Sequence, residues 1–216
     1  MNSEREKQLA AEAAAELVES GMHVGLGTGT TVAHLLPALK RRRPDATYVA
    51  TSLATEQRAR QLGLRIVSFA GTDAPARLDL AIDGADQVAP SGWLVKGGGA
   101  ALTREKLVAA AAERFVVVVS SEKLVERLTP PVPLELLEFG LAATLRRLGS
   151  VRLRDVPRSP DGGVIADYTG AVDDPESLAA TLSAAVGVVE HGLFPRELVS
   201  EVIVGRGEEV DVRSFG

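Results

Sequence analysis

The sequence predicts a mixed α/β chain, in which a parallel sheet with helices on both sides is followed by a smaller α+β unit. Two observations predict it. From Met22 to Ser120, short apolar strands alternate with helical stretches, the order that builds βαβ units. After Pro130 the order becomes βαββαβ, a split-βαβ or ferredoxin-like arrangement, with Asp161-Gly-Gly163 as a hairpin signal in its middle.

Each element has its own signal. Ser3 and Glu6 stand three apart, as in a capping box, ahead of a stripe of Leu9, Ala10, Ala13, Ala14, Leu17 and Val18. MHVGLG (22–27) reads as a strand running into glycines. TTVAHLLPALKRR reads as a helix that Pro37 bends or restarts. TYVAT (47–51) is a strand and LATEQRARQL (53–62) a helix; LRIVSF (64–69), LDLAID (78–83) and WLV (93–95) are strands. LTREKLVAAAAE (102–113) is a helix, and FVVVVS (115–120) is a bare β-branched run, as in a strand buried on both faces. Beyond Pro130, PVPLELLEF opens with a strand, 139–148 is a helix, and VRLRD and VIADY are strands. PESLAATLSAAV is a helix with Pro175 near its first position, and GVVEH is a strand. The expected domains are 1–129, with 199–216 returning to it, and 130–198.

Composition excludes several function classes. The net charge of −5 argues against nucleic acid as a partner. There is no cysteine, hence no thiolate chemistry, and His23, His34 and His191 share no metal-ligand spacing. The charged start has no secretory apolar region, and no apolar run approaches the about 20 residues of a membrane span. A cytoplasmic protein is expected.

Five stretches carry polar groups at strand ends. GLGTGTT (25–31) fails the dinucleotide fingerprint because Thr30 holds the third glycine position, and it lacks the GK[ST] ending of a P-loop. It still offers backbone N–H groups, hydroxyls and a helix start, which suit a phosphate. The plain alternative is a tight βα turn. In TSLATEQ (51–57), Ser52 reads equally as an N-cap. In DLAIDGADQV (79–88), Asp83 and Asp86 flank Gly84 and can both point into one cleft, or can form an Asx turn that merely ends the strand. LVKGGGAALTREK (94–106) places Lys96 and the bare N–H groups of Gly97, Gly98 and Gly99 before a helix that carries Glu105. On spacing alone Glu105 is a solvated helix residue. VSSEKL (119–124) adds Lys123, on its own a solvated surface lysine.

Together these stretches resemble the ribose-5-phosphate isomerase A family, in matching order and over nearly the whole chain. The resemblance implies a Rossmann-like domain with a smaller ferredoxin-like domain. It implies interconversion of D-ribose 5-phosphate and D-ribulose 5-phosphate, without a metal or organic cofactor. Glu105 matches the family's catalytic base, and Asp83, Gly84, Ala85, Asp86, Lys96 and Gly97 to Gly99 match the sugar end of the site. Thr28, Gly29, Thr30, Thr31 and Lys123 match substrate-binding positions around the phosphate; Lys7 matches a phosphate-reaching lysine within a weak motif. The family reads DGADE where this chain has Gln87. A homodimer or homotetramer is implied, with a small-molecule sugar phosphate as partner. Two other readings stand beside it: a sugar-phosphate-sensing domain that binds without turnover, and an amino-sugar-phosphate isomerase-deaminase, which would use a histidine that none of these motifs contains.

Overall fold

The structure is a computed structural model and describes residues 3–215. In chain order its elements are α1 (Ser3–Ala15), β1 (His23–Leu26), α2 (Thr30–Arg42), β2 (Thr47–Ala50), α3 (Leu53–Gln61), β3 (Arg65–Ile66), β4 (Leu78–Asp83), β5 (Gln87–Val88), β6 (Leu94–Val95), α4 (Leu102–Ala111), β7 (Ala112–Ser120), β8 (Val132–Leu136), α5 (Leu141–Leu148), β9 (Val151–Leu153), β10 (Val164–Tyr168), α6 (Pro175–Ala184), β11 (Val188–His191), β12 (Leu193–Phe194), β13 (Glu201–Arg206) and β14 (Glu209–Ser214). Two short 3₁₀ turns lie at Ser121–Lys123 and Arg196–Leu198.

The chain forms two compact units: Met1–Ala85 with Arg104–Lys123 and Glu197–Gly216, and Asp86–Thr103 with Leu124–Arg196. The sequence reading assigned 86–103 to the first domain. That segment groups with the second unit because β6 pairs antiparallel with β12.

The first unit holds a sheet in the order β14-β13-β7-β4-β1-β2-β3. All neighbours are parallel except the terminal β13–β14 hairpin. The run Phe115–Val119 is buried throughout, as a strand with both faces covered requires. Val116 and Val118 of this run share one core with side chains of α1, α2, β1, β2 and β4. The strand order runs outward from β1 through β2 and β3, then turns to the other side through β4, β7 and β13. The reversal between β1 and β4 is a topological switch point, where α/β sheets leave a crevice at the strand C-termini.

The second unit holds a four-stranded antiparallel sheet in the order β11-β8-β10-β9, with the chain order βαββαβ expected from the sequence. A three-stranded antiparallel sheet, β12-β6-β5, completes the unit. Leu134, Leu136, Val132 and Ala166 of the larger sheet share a core with Val95, Leu128, Leu182 and Leu193.

Four local expectations are corrected. Glu6 does not close a capping box: it turns inward and accepts hydrogen bonds from Ser121 and Gly207, while Ser3 Oγ donates to Glu122. Pro37 does not restart α2, which runs unbroken from Thr30 to Arg42, because burial of Leu35, Leu36 and Leu39 offsets the roughly 3 kcal/mol an internal proline costs. The strand expected over 64–69 shrinks to Arg65–Ile66, because Ser68 turns its hydroxyl onto the backbone of Ala70. The helix expected to end at 113 gives way to β7 at Ala112, which pairs with Leu78 of β4 and puts Glu113 in a strand.

Candidate active site

Parallel pairing puts the C-terminal ends of β1, β2, β4 and β7 on one edge of the first unit. The loops that leave that edge carry Thr28 to Thr31, Thr51 and Ser52, Asp83 to Ala85, and Lys123.

At the switch point Asp83 ends β4 with only 3% of its surface exposed. Its Oδ1 accepts the N–H of Thr28 at 3.1 Å and the N–H of Gly84 at 2.7 Å. Gly27 lets the loop pass this close: a Cβ there would lie 1.8 Å from Asp83 Oδ1. The hydroxyls of Thr28 and Thr51 are 2.8 Å apart, and Thr55 Oγ1 donates to the Gly27 carbonyl at 2.9 Å. Gly29 (φ 116°) occupies the N-cap of α2 with no side-chain cap, so Thr30 and Thr31 open a helix whose first turn is left to an incoming acceptor. Thr31 Oγ1 comes within 4.0 Å of the position a Gly84 Cβ would take, which joins the DGAD turn to this loop. Ser52 is the N-cap of α3, as its plain reading held; it accepts from Thr55 N at 3.2 Å.

Lys123 ends the 3₁₀ turn after β7. The turn is tethered from α1: Glu6 accepts from Ser121 N at 2.9 Å and Ser121 Oγ at 2.8 Å, and from Gly207 N at 2.9 Å. These donors hold the buried Glu6 carboxyl below the ordinary carboxylate range, the Gly207 N–H foremost, against the opposing effect of burial. Lys7 is engaged elsewhere. Its Nζ donates to Glu4 at 2.7 Å, and Glu4 also meets His34 Nε2 at 3.1 Å; both contacts lower the Glu4 pKa, that of Lys7 foremost.

Glu105 lies in the first turn of α4, where the helix dipole favours an acidic side chain, and is 3% exposed. A carboxylate this sheltered departs from the solvated helix face that spacing alone suggested.

In the second unit Lys96 is also buried. Its N–H donates to Gly192 O at 2.8 Å, and its Nζ lies 5.3 Å from the Phe194 ring centroid. The chain then turns sharply. Gly97 has φ 101°, and a Cβ there would meet Leu102 at 2.8 Å and Pro133 at 3.0 Å. Ala100 also lies in the left-handed region, at φ 61°. Gly98 N donates to Asp86 Oδ2 at 2.8 Å. The chain crosses from the first unit to the second between Ala85 and Asp86 and returns between Thr103 and Arg104. Asp83, Asp86 and Glu105 each lie within three residues of one of these passages.

The model of the family ribose 5-phosphate isomerase A (phosphoriboisomerase A) matches residues 47–209. The chain belongs to the ribose 5-phosphate isomerase A family. It is 43% identical to the ribose-5-phosphate isomerase A of Caulobacter sp. (strain K31), over 97% of this chain and 98% of that protein. It is 45% identical to the one of Halobacterium salinarum (strain ATCC 29341 / DSM 671 / R1), over 98% of this chain and 96% of that protein. Among solved structures, ribose 5 phosphate isomerase A from Neisseria gonorrhoeae superposes with a TM-score of 0.91 at 31% identity, covering 97% of this chain and 96% of that one. A D-ribose-5-phosphate isomerase in complex with phospho-erythronic acid superposes with a TM-score of 0.90 at 35% identity, over 99% and 100%. Nothing in these matches supports a non-catalytic sensing domain.

Family motifs pointed to most of the residues above, but not to their supports. Thr51, Thr55 and Glu6 went unassigned, and so did Arg154, which donates to the carbonyls of Gly97 and Gly98 from fifty-odd residues away. No local pattern announces Arg154. It is the second arginine of an unremarkable polar-alternating strand, VRLRD.

Proposed function

We infer that this chain is a ribose-5-phosphate isomerase, interconverting D-ribose 5-phosphate and D-ribulose 5-phosphate in the non-oxidative pentose phosphate pathway. The family match over nearly the whole chain supports the activity. The observation that supports the site is the buried Asp83 carboxylate, gripped by the N–H groups of Thr28 and Gly84 at the switch point.

The residue roles follow from what the reaction needs. The substrate enters as a closed sugar, and Asp83 assists ring opening by exchanging a proton with the ring or anomeric oxygen, Asp86 supporting orientation. Glu105 takes the proton from C2, which leaves a cis-enediolate, and returns it to C1; the proton on the C2 hydroxyl moves to O1. The developing oxyanion is met by Lys96 and the N–H groups of Gly97 and Gly99, while the N–H of Gly98 is held by Asp86 Oδ2. Thr28, Gly29, Thr30 and Thr31, with the first turn of α2, hold the phosphate, and Lys123 adds charge. Lys7 reaches the phosphate only on leaving Glu4. Every step is a proton transfer within one molecule, so no oxidant or reductant is consumed. We place the enzyme in the cytoplasm as a homodimer or homotetramer. The exposed Leu137, Phe139 and Val186 of the second unit favour self-association there.

The test is an assay of purified protein with ribose 5-phosphate in excess EDTA, beside Glu105→Gln and a Glu113→Gln control. Activity should survive chelation. Glu105→Gln should lower kcat about 10²–10⁴-fold, the usual worth of a general base, with KM little changed. Glu113, paired with Arg77 on the surface, should be silent. An inactive wild-type protein would end the isomerase reading. A Glu105 variant with more than about a tenth of wild-type kcat would move the base to Asp83 or Asp86.

A further inference from the structure

The backbone of Gly97–Gly99 is the most permissive stretch in the chain, and something must hold it. Inside the second unit the carbonyls of Gly97 and Gly98 are held by one arginine. Arg154, directly after β9, donates its Nη1 to the carbonyl of Gly97 at 3.2 Å and to that of Gly98 at 3.3 Å. Its Nε and Nη2 both donate to Asp167 Oδ1, at 2.9 and 2.6 Å. Asp167 is 4% exposed and lies on β10, in register with Arg152 of β9. Arg154's own N–H is fixed to Ile165 O at 3.0 Å. The guanidinium is therefore anchored at both ends by a paired sheet.

We propose that Arg154, oriented by Asp167, is a positioning residue for the isomerisation: its guanidinium pins two glycine peptides and polarises the Gly98 N–H that holds Asp86 and the Gly99 N–H that serves the developing oxyanion. This rests on the isomerase reading above. A peptide's carbonyl and the next residue's N–H are one conjugated, planar group. A cation on the Gly97 carbonyl makes the Gly98 N–H a better donor, and one on the Gly98 carbonyl does the same for Gly99. Pinning both carbonyls also stops either peptide plane from flipping, a freedom that glycine otherwise has on both sides of φ. The Gly98 N–H already grips Asp86 Oδ2, so the same cation tightens Asp86's orientation. Partial shelter from water strengthens the Arg154 contacts to Asp167 and to the Gly97 carbonyl, whereas those at Gly98 are exposed.

An ion pair kept for stability alone explains the geometry less well. Buried pairs replaced by apolar residues are often no less stable. Such a pair needs no third donor, and here the third donor is directed at the glycine run. Arg152, on β9 two residues before, makes the contrast: it approaches Asp167 Oδ2 only at 3.6 Å and is 72% exposed.

The test compares Arg154→Gln, Arg154→Lys and Asp167→Asn with wild type, with Arg158→Gln as control. Arg158 pairs with Glu138 on the surface of the same unit. Steady-state kinetics with ribose 5-phosphate and a melting curve are recorded for each. Arg154→Gln should lower kcat roughly 10–100-fold, a share of what one oxyanion donor is worth, while KM changes by less than about threefold. Arg154→Lys keeps the charge but loses the fork, and should fall between. Asp167→Asn should lower kcat less than Arg154→Gln does, and Arg158→Gln should match wild type. A purely structural role would move the melting temperature and leave the kcat of the folded fraction alone. A folded Arg154→Gln with kcat within about twofold of wild type overturns the proposal, as does a loss confined to KM. Should Arg154→Gln not fold, Arg154→Lys decides by the same criteria. If wild type itself fails to turn over ribose 5-phosphate, the isomerase reading falls and takes this proposal with it; an active wild type with a dead Glu105→Gln and an unimpaired Arg154→Gln sinks the proposal alone.

Discussion

The loop Gly27–Thr31 and the run Gly97–Gly99 are both glycine-rich, and both lead from a strand end toward a helix, yet they are held by different means. The first is held by its sheet neighbours. Asp83 ends the adjacent strand β4, and Thr51 and Thr55 follow the strand on its other side, β2. Its conformation is then propagated by a 13-residue helix that starts at once. The run Gly97–Gly99 is closed by a turn, Ala100 N donating to Gly97 O at 3.1 Å, and is otherwise held by side chains. A guanidinium from just after β9 takes two of its carbonyls and the Asp86 carboxylate takes one of its N–H groups. The first stretch is over-determined by short side chains rooted on strand ends and a helix start that the fold fixes anyway. The second depends on a few long or swinging side chains, and should tolerate more and respond to more.

The largest expected effect tests the rigid side of that contrast. In Gly27→Ala the new Cβ would lie 1.8 Å from Asp83 Oδ1 and 1.9 Å from its Cγ, at a buried strand end with little room to yield. The Thr28–Asp83 hydrogen bond should break, and kcat/KM should fall on the order of 10²-fold or more, as misplacing a reacting group by about 1 Å does. Gly98→Ala is the counterpart. Its Cβ would lie 2.7 Å from Asp86 Oδ1, the far end of a side chain that can swing aside. The expected cost is about tenfold in kcat, near the worth of one hydrogen bond to a charged group. Kinetics that rank Gly98→Ala as the more damaging change would reverse the comparison.

A third substitution touches the second unit without touching the run. Gln87 Nε2 donates to Thr129 O at 2.8 Å, and its Oε1 accepts from Thr129 N at 2.8 Å. The glutamate its family usually carries there could accept but not donate, and would set a carboxylate oxygen against a carbonyl. Gln87→Glu should lose roughly 1–3 kcal/mol of stability and keep its kcat. An unchanged melting temperature would remove Gln87 from this role.

The smallest effect belongs to the first unit and appears only in acid. The Glu6 carboxyl lies below its ordinary value of 4.5, so its contribution to stability is fully present above that value and is lost as pH falls through the depressed one. Wild type should therefore lose stability on acidification below about pH 4.5. Glu6→Gln should flatten that part of the profile in a pH series of melting curves. A variant with the wild-type acid limb would assign it to other carboxylates.

Legibility followed range. Phe115–Val119 announced a buried central strand, and residues 132–191 spelled out βαββαβ, because periodicity and turn residues act within a few positions. GLGTGTT was readable as a loop from a strand into a helix start for the same reason: strand, glycines, hydroxyls and helix start are contiguous. Glu6 was misread because Ser3 and Glu6 have capping-box spacing, while the stronger donors on Ser121 and Gly207 are more than a hundred residues away. The restart expected at Pro37 did not occur because a local rule ignored the burial of its leucine neighbours.

By itself the sequence determined the strand and helix order, the glycines where backbone must turn, and, through motifs shared with its family, the carboxylates and lysines proposed here for the site. The tertiary structure decided what supports them. It placed Asp83 against Thr28, Glu6 under the Lys123 turn, and Arg154 and Asp167 behind the glycine run. Propensity and pattern are properties of neighbours in the chain. A hydrogen bond between residues 97 and 154 exists only once two sheets have closed, and no local signal encodes it.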